Sequence, residues 1–413
     1  MNNDNIKIDK NRRLYKEDKT DSEKKLYKDK NLLVIFCITL TAVLSVTSIS
    51  PAFPMIAEVF NVSDTKIGLL ITVFTLPGVI LAPVIGVLAD RLGRKKVLVP
   101  SLVLFGIAGT SCIFAHSFRA LLSLRFIQGI GGAAINSLNN TIIGDLYNDR
   151  ECTIAMGYNA TVLNIGTTAF PVIGGALCAL GWYYPFFLPL VAIPIAILVL
   201  FILDSYDPEN NQDLKEYLKN TAQSLKNKNI ILLIITSCLL FTIFYGVYMA
   251  YFPIYISRSF NPTPLQIGII LASMSLTTAA VASQLGRLSS KFSVKTLLIL
   301  GFSLFGVAFL IIPVIPTIWL LFIPTIIYGL GQGITNPMIQ STLARLSDKE
   351  YRGMVMSLSS MSIRLGQTVG PLLFGLILAI FGMNHVFYAG VLLSLIVALA
   401  ILNISSDNKT TTD

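Results

Sequence analysis

Charge is scarce in this chain. Asp, Glu, Lys and Arg make up 13% of 413 residues, hydrophobic residues make up 54%, and the mean hydropathy is +0.71. A water-soluble protein of this length needs far more charge to cover its surface, so a soluble globular fold is excluded. Histidine is almost missing: His116 lies between two spans and His385 at the outer start of the last one. No G-x-x-x-x-G-K-[ST] phosphate loop, H-E-x-x-H string or Cys/His metal spacing is present, so nothing points to an enzyme, a metal or another cofactor. The five cysteines (Cys37, Cys112, Cys152, Cys178 and Cys238) fall in or beside apolar runs. An odd number at that depth argues against a disulfide framework and fits small packing residues. A cleavable leader is not expected, because residues 1–30 are polar and too long for an n-region. That tail mixes Lys and Asp densely and reads as disordered.

What the chain has instead is long apolar stretches, each able to cross about 30 Å of hydrocarbon as a helix. The pattern predicts twelve spans, at 31–57, 66–88, 96–115, 119–144, 152–178, 182–203, 230–257, 265–287, 295–313, 317–344, 352–380 and 384–404. It also repeats. Ile67-Gly68 returns as Ile267-Gly268, and Leu104-Phe105-Gly106 as Leu304-Phe305-Gly306; Gly129, Gly131 and Asn136 return as Gly329, Gly331 and Asn336. Of 14 glycines between 67 and 175, 7 meet a glycine 200 residues later, where chance gives one or two. The expected fold is therefore an all-α membrane protein with twelve transmembrane helices in two six-helix bundles, related by a repeat that runs in the same direction. Its parts are a polar tail (1–30), an amino-terminal bundle (31–203), a linker (204–229), a carboxy-terminal bundle (230–404) and a short tail (405–413). Within the linker, Leu214, Tyr217, Leu218, Thr221 and Leu225 are spaced for an amphipathic surface helix, and a plain tether is the alternative.

Lys and Arg set the expected orientation. Segments on the side of the amino terminus hold 26 of the 31, which puts both termini in the cytoplasm. The net charge of +9 belongs to this asymmetry. Nucleic acid is not an expected partner, because no basic stripe is interleaved with aromatics.

After the second span comes Gly86-Val-Leu-Ala-Asp90-Arg91-Leu-Gly93-Arg94-Lys95-Lys96. Gly86 permits close helix approach and Gly93 a turn that other residues would strain. Asp90 ends a helix where a lone carboxylate is unfavourable, so it should seek an Arg or a helix amino terminus. A cytoplasmic anchor explains the basic residues but neither Asp90 nor the glycine spacing. The string resembles the signature loop of the major facilitator superfamily, G-x-x-x-D-R-x-G-R-[KR]. That resemblance, spanning about 31–404, implies a secondary transporter in which Gly86, Asp90, Arg91, Gly93 and Arg94 latch the cytoplasmic side, with Asp90 aimed near Arg352-Gly353. The second copy has Ser290 at the acidic position, so the first loop should carry the latch. Gly157, Gly166, Pro171, Gly174 and Gly175 in the fifth span resemble the fifth-helix motif of twelve-span drug:proton antiporters, with Phe170 where that family has Gly. A bend and tight packing are expected there.

Two arginines lie inside spans, Arg125 about 10 Å from the outer end and Arg364 about 18 Å from the inner end. Arg at such depth costs roughly 2.5–3.5 kcal/mol on insertion scales, so neither should face lipid. Polar faces carry them: Arg125, Gln128, Gly132 and Asn136; Ser357, Ser360, Arg364 and Gln367. The tenth span adds Tyr328, Gln332 and Asn336, and the seventh an aromatic stripe of Phe241, Tyr245, Tyr248 and Phe252. Arg125, Gln128, Asn136, Tyr245, Tyr248, Tyr328, Gln332, Asn336, Arg364 and Gln367 are the candidate lining of a substrate cavity; packing inside a bundle is the competing reading, above all for Arg125 and the tyrosines. No Asp or Glu lies deep in a span, which leaves Glu58 and Asp145 as candidates for proton coupling. Two arginines without a deep carboxylate also suit an anionic substrate. The expected function is export of small amphipathic molecules by a monomeric plasma-membrane transporter in exchange for protons. The alternatives are a dedicated exporter of an anionic metabolite, siderophore or lipid-linked glycan, and a membrane sensor or scaffold.

Overall fold

A computed structural model describes residues 26–204, 227–347 and 352–402. Of the tail expected to be disordered (1–30), residues 26–30 are instead ordered, because Asp29 caps the first helix and Leu26 is buried; the rest of that tail, the amphipathic linker helix and the last tail (405–413) lie outside the described residues. Among the described residues all regular structure is helical. The first half contains α1 (Lys30–Val59), α2 (Leu69–Leu92), α3 (Arg94–Ser111), α4 (Phe118–Leu146), α5 (Asp149–Cys178) and α6 (Tyr184–Ile202). The second half contains α7 (Lys228–Phe260), α8 (Pro264–Ala282), α9 (Val294–Ile311), α10 (Phe322–Leu346), α11 (Arg352–Phe381) and α12 (Met383–Ile401). Eleven of these stretches are long and apolar enough to cross a membrane. The twelfth, α4, spans 29 residues and packs along α2 and α3, but its polar face lowers its hydropathy. Large apolar side chains such as Phe201, Leu276, Ile380 and Leu399 are exposed, which suits lipid contact.

The boundaries follow local chemistry. Asp29 caps α1 through the Asn31 and Leu32 amides, and Thr263 and Gln266 form a reciprocal capping box on α8. Gly93 turns the chain between α2 and α3 at φ 96°, a conformation a side chain would strain. Two helices depart from regular winding at the same level. In α1 the α-helix stops at Thr47 and a tighter turn runs over Ser50–Ala52, where Pro51 supplies no amide proton. In α7 a π-helical stretch occupies Phe244–Tyr251. Pro171, where a bend is expected, lies inside the helix that runs from Asp149 to Cys178.

The repeat is visible atom by atom. Gly129 abuts the carbonyl of Phe74, and Gly329 that of Met274; Gly131 meets the Ser101 carbonyl, and Gly331 that of Gly301. The same offset holds across the halves: Gly68 faces the Pro371 carbonyl and Gly268 that of Pro171. The halves are thus related by an approximate two-fold axis between them, with α2 against α11 and α5 against α8.

A glycine motif makes sense only where backbones touch. A methyl group on Gly174 would collide with the Ser48 backbone of α1, and one on Gly175 would sit 2.5 Å from the Pro264 carbonyl of α8. By contrast Gly86, expected to admit a close neighbour, has open space around it, as has Gly157. Gly174→Val should therefore destabilise the protein by the 1–3 kcal/mol typical of overpacking, about what forced backbone shifts cost. Gly157→Ala, inside a helix with open space around it, should keep or slightly raise its melting point in detergent, followed by size exclusion.

Candidate transport site

Contacts between the halves cluster toward one face. Nearest the outer ends, meaning those opposite the termini, the exposed Arg258 guanidinium holds Asp64 at 3.0 Å and Glu58 at 3.3 Å. One level down, the Tyr251 hydroxyl, bonded within its own half to the Pro371 carbonyl at 2.8 Å, reaches across to the Thr65 carbonyl at 3.2 Å, and Ser50 Oγ donates across to the Met249 carbonyl at 2.7 Å. Further in, Thr72 Oγ1 donates to the Thr368 carbonyl at 2.9 Å, and Thr368 Oγ1 donates to Thr75 Oγ1 at 2.9 Å. These bonds stitch α1 and α2 to α7 and α11. At the inner ends nothing equivalent joins the halves among the described residues. Gly86, Gly286, Gly157 and Gly353 have no neighbour within 4 Å of an added Cβ. The molecule is closed on one face and open on the face where Leu26 and Leu402 stand.

The ten candidate cavity residues divide between two environments. Arg125 is buried within its own half, contrary to its expected cavity position. Its Nη1 donates to Gln128 Oε1 at 2.7 Å, its Nε points to the Leu70 carbonyl at 3.4 Å, and its guanidinium lies 4.4 Å from the centre of the Phe74 ring. Gln128 is sealed in with it, against Gly109 of α3. Because these partners satisfy the charge internally, neither side chain is available to a ligand in this conformation. Tyr248 and Tyr328 are likewise turned inward, stacked with ring centres 5.1 Å apart, and Phe305 closes on Tyr328 at 4.5 Å. Gln332 is buried too. The reason the aromatic stripe fails is the π-helical winding of α7, which takes Tyr245 and Tyr248 out of a common face. Asn136, Tyr245, Asn336, Arg364 and Gln367 remain partly or fully uncovered.

The latch residues are placed but not engaged. Asp90 pairs with Arg94 four residues on, and Arg94 Nε also holds Asp145 at 3.0 Å. The expected approach of Asp90 to Arg352 and Gly353 is absent in this conformation, because the inner ends stand apart and Arg94 is the nearer cation. Arg91 is exposed. Glu58 and Asp145 both sit at helix ends, each already in an ion pair. The outer closure went unforeseen from sequence, yet one signal pointed to it: Glu58 and Arg258 lie 200 residues apart, at equivalent positions of the two repeats, with opposite charge.

The family model described as Major Facilitator Superfamily matches residues 35–257 and 244–412, nearly the whole helical region. The chain belongs to that superfamily. Membership makes it a membrane transporter related to drug-efflux proteins. It is 24% identical over 366 residues to the "Bacillibactin exporter" of Bacillus subtilis (strain 168), covering 85% of this chain and 90% of that one. It is 25% identical over 355 residues to the "Tetracycline resistance protein, class B" of Escherichia coli, covering 83% and 87%. A bacterial homologue of the human lysosomal transporter Spinster, solved in an inward-facing and occupied conformation, superposes with a TM-score of 0.76 at 17% identity, over 90% of this chain and 95% of that one.

Superfamily transporters work by exchanging which face is closed, so the outer bonds should set the balance here. Exposed ion pairs contribute about 0–1 kcal/mol each, and Tyr251 adds a half-buried hydrogen bond to the Thr65 carbonyl. Arg258→Ala combined with Tyr251→Phe should shift the population toward outer opening by roughly five- to thirtyfold, the equivalent of 1–2 kcal/mol. Spin labels at Lys66 and Ser259, on a background stripped of the native cysteines, should report a longer distance. An unchanged distance distribution would mean that other contacts hold the closure.

Proposed function

We propose that the protein exports small amphipathic molecules across the plasma membrane by alternating access, as a monomer with both termini in the cytoplasm, in exchange for protons. The observation that carries this reading is the one-sided closure: a seam bonded at its outer level and parted below, with uncovered polar side chains at membrane depth. With cytoplasmic termini, the open face is the inner one. Cargo enters from the cytoplasm, binds between Asn136, Tyr245, Asn336, Arg364 and Gln367, and leaves once the outer bonds part and the inner ends close. Aromatic rings hold apolar or π-rich cargo, and amide side chains give adaptable hydrogen bonds. The names of the relatives, an exporter and a resistance protein, support the outward direction.

In the outward-facing state Asp90 would exchange Arg94 for the amino terminus of α11 near Arg352, and Gly86 and Gly353 would meet as Gly68 and Pro371 do on the other face. Protons would be taken up at Glu58 or Asp145, where protonation breaks an existing pair with Arg258 or Arg94. A sensor or scaffold would bind ligand without moving it.

Asp90→Asn should lower export about tenfold, the effect of losing roughly 1.4 kcal/mol in one state, with little change in ligand binding. Measured in proteoliposomes, uphill export should stop when the pH gradient is collapsed; persistence would remove the proton from the mechanism. Ligand binding without any flux would favour the sensor.

A further inference from the structure

Arg364 is left in an unusual position by the contacts around it. Among the described residues its guanidinium makes no hydrogen bond and no ion pair; only its backbone carbonyl is engaged, by Thr368 Oγ1. Arg125, the other deep arginine, is fully accommodated by Gln128, Leu70 and Phe74. The carboxylates of Glu58, Asp64, Asp90 and Asp145 all stand at helix ends and are paired there with Arg258 or Arg94. Among the described residues no carboxylate pairs with Arg364.

Its place in the seam is equally specific. The α2–α11 contact runs inward from Thr72 and Thr75 against Thr368, and Arg364 lies one helical turn further in on α11. There it reaches across to Gly78 of α2, where a methyl group would sit 2.8 Å from Nη1. The charge therefore lies where the closed part of the seam gives way to the open part. Tyr245 is within electrostatic range of it. The Tyr245 ring packs against Phe244 at 5.2 Å and Phe241 at 6.3 Å, which extends an aromatic wall from the charge.

We propose that Arg364 anchors an organic anion, and that the cargo is an amphipathic molecule carrying a carboxylate beside an aromatic or alkyl body. The proposal rests on the reading that the crevice between the halves is the cargo path. Arg does not shed its proton at this depth, and unlike Arg125 this guanidinium has no hydrogen-bond partner of its own, so an anion is the partner that suits it best. Its planar fork matches a carboxylate through two parallel hydrogen bonds, which a Lys would not provide. Tyr245 offers a third donor, and the phenyl rings cover the apolar body. An anion leaving a negatively charged interior also moves down the membrane potential, which adds drive where the membrane interior holds no carboxylate to carry protons.

Two dyes with the same xanthene ring and opposite charge test this, fluorescein with its carboxylate and rhodamine 123 as a cationic ester. Binding to the purified full-length protein is read by fluorescence polarisation, and flux in proteoliposomes under an imposed potential. Fluorescein should bind, and Arg364→Gln should weaken it at least about tenfold, the loss of one charge-assisted contact. Arg364→Lys should fall between, and rhodamine 123 should respond to neither variant. If Arg364→Gln does not fold, the intermediate loss in Arg364→Lys carries the test. No fluorescein binding, or equal losses for both dyes, overturns the proposal. Flux of rhodamine 123 alone overturns it while leaving export intact, whereas Arg364-dependent fluorescein binding without flux keeps the anion site and removes the export reading.

Discussion

Hydrocarbon offers no hydrogen bonds, and that single constraint orders the whole molecule. Most polar groups at membrane depth find a partner in the protein or face a wet crevice. The buried triad of Thr39, Asn139 and Asn159 shows the first solution, tying α1, α4 and α5 together inside one half. Arg125 shows it again, with a side-chain amide, a carbonyl and an aromatic face around a single cation. Asn136 and Arg364 show the second solution. The division between these two groups separates what holds a bundle together from what is free to meet a ligand.

The seam obeys the same constraint in another way. Where α2 meets α11 and α5 meets α8, the approach is between backbones, made possible by glycine, and between α2 and α11 a hydroxyl group bonds a carbonyl across it. Hydroxyl–carbonyl bonds are weak enough to exchange and do not strand a charge when they part. Only at the outermost level, where water is available, does the closure use charged side chains. A gate built from buried ion pairs would leave unpaired charges in hydrocarbon each time it opened.

Much of this architecture was legible in the sequence, because spans, repeat and loop motif each depend on local spacing. The twelve segments, the glycines at a 200-residue offset and the turn at Gly93 all follow from such patterns. Side-chain direction was less legible. Arg125 and Gln128 share a helical face with Asn136, but over eight residues that face passes from the bundle interior to its uncovered side, so one stripe contains both environments. The aromatic stripe of α7 assumed regular winding, and the π-helical stretch defeats that assumption; Gly246, packed against Phe374 and Gly370, is the local sign of the close approach there. The space around Gly86 and the pairing of Asp90 with Arg94 depend on which face is closed, and a sequence shared by both conformations does not distinguish them.

The outer ion pair has one more consequence. Glu58 and Arg258 stand at corresponding places in two related units, and they attract because the units are no longer alike. Two copies of the first half assembled about the same axis would set Glu58 against Glu58; two copies of the second would oppose Arg258 with Arg258. Fusion into one polypeptide allowed each position to take a different sign, so neither half can substitute for its twin.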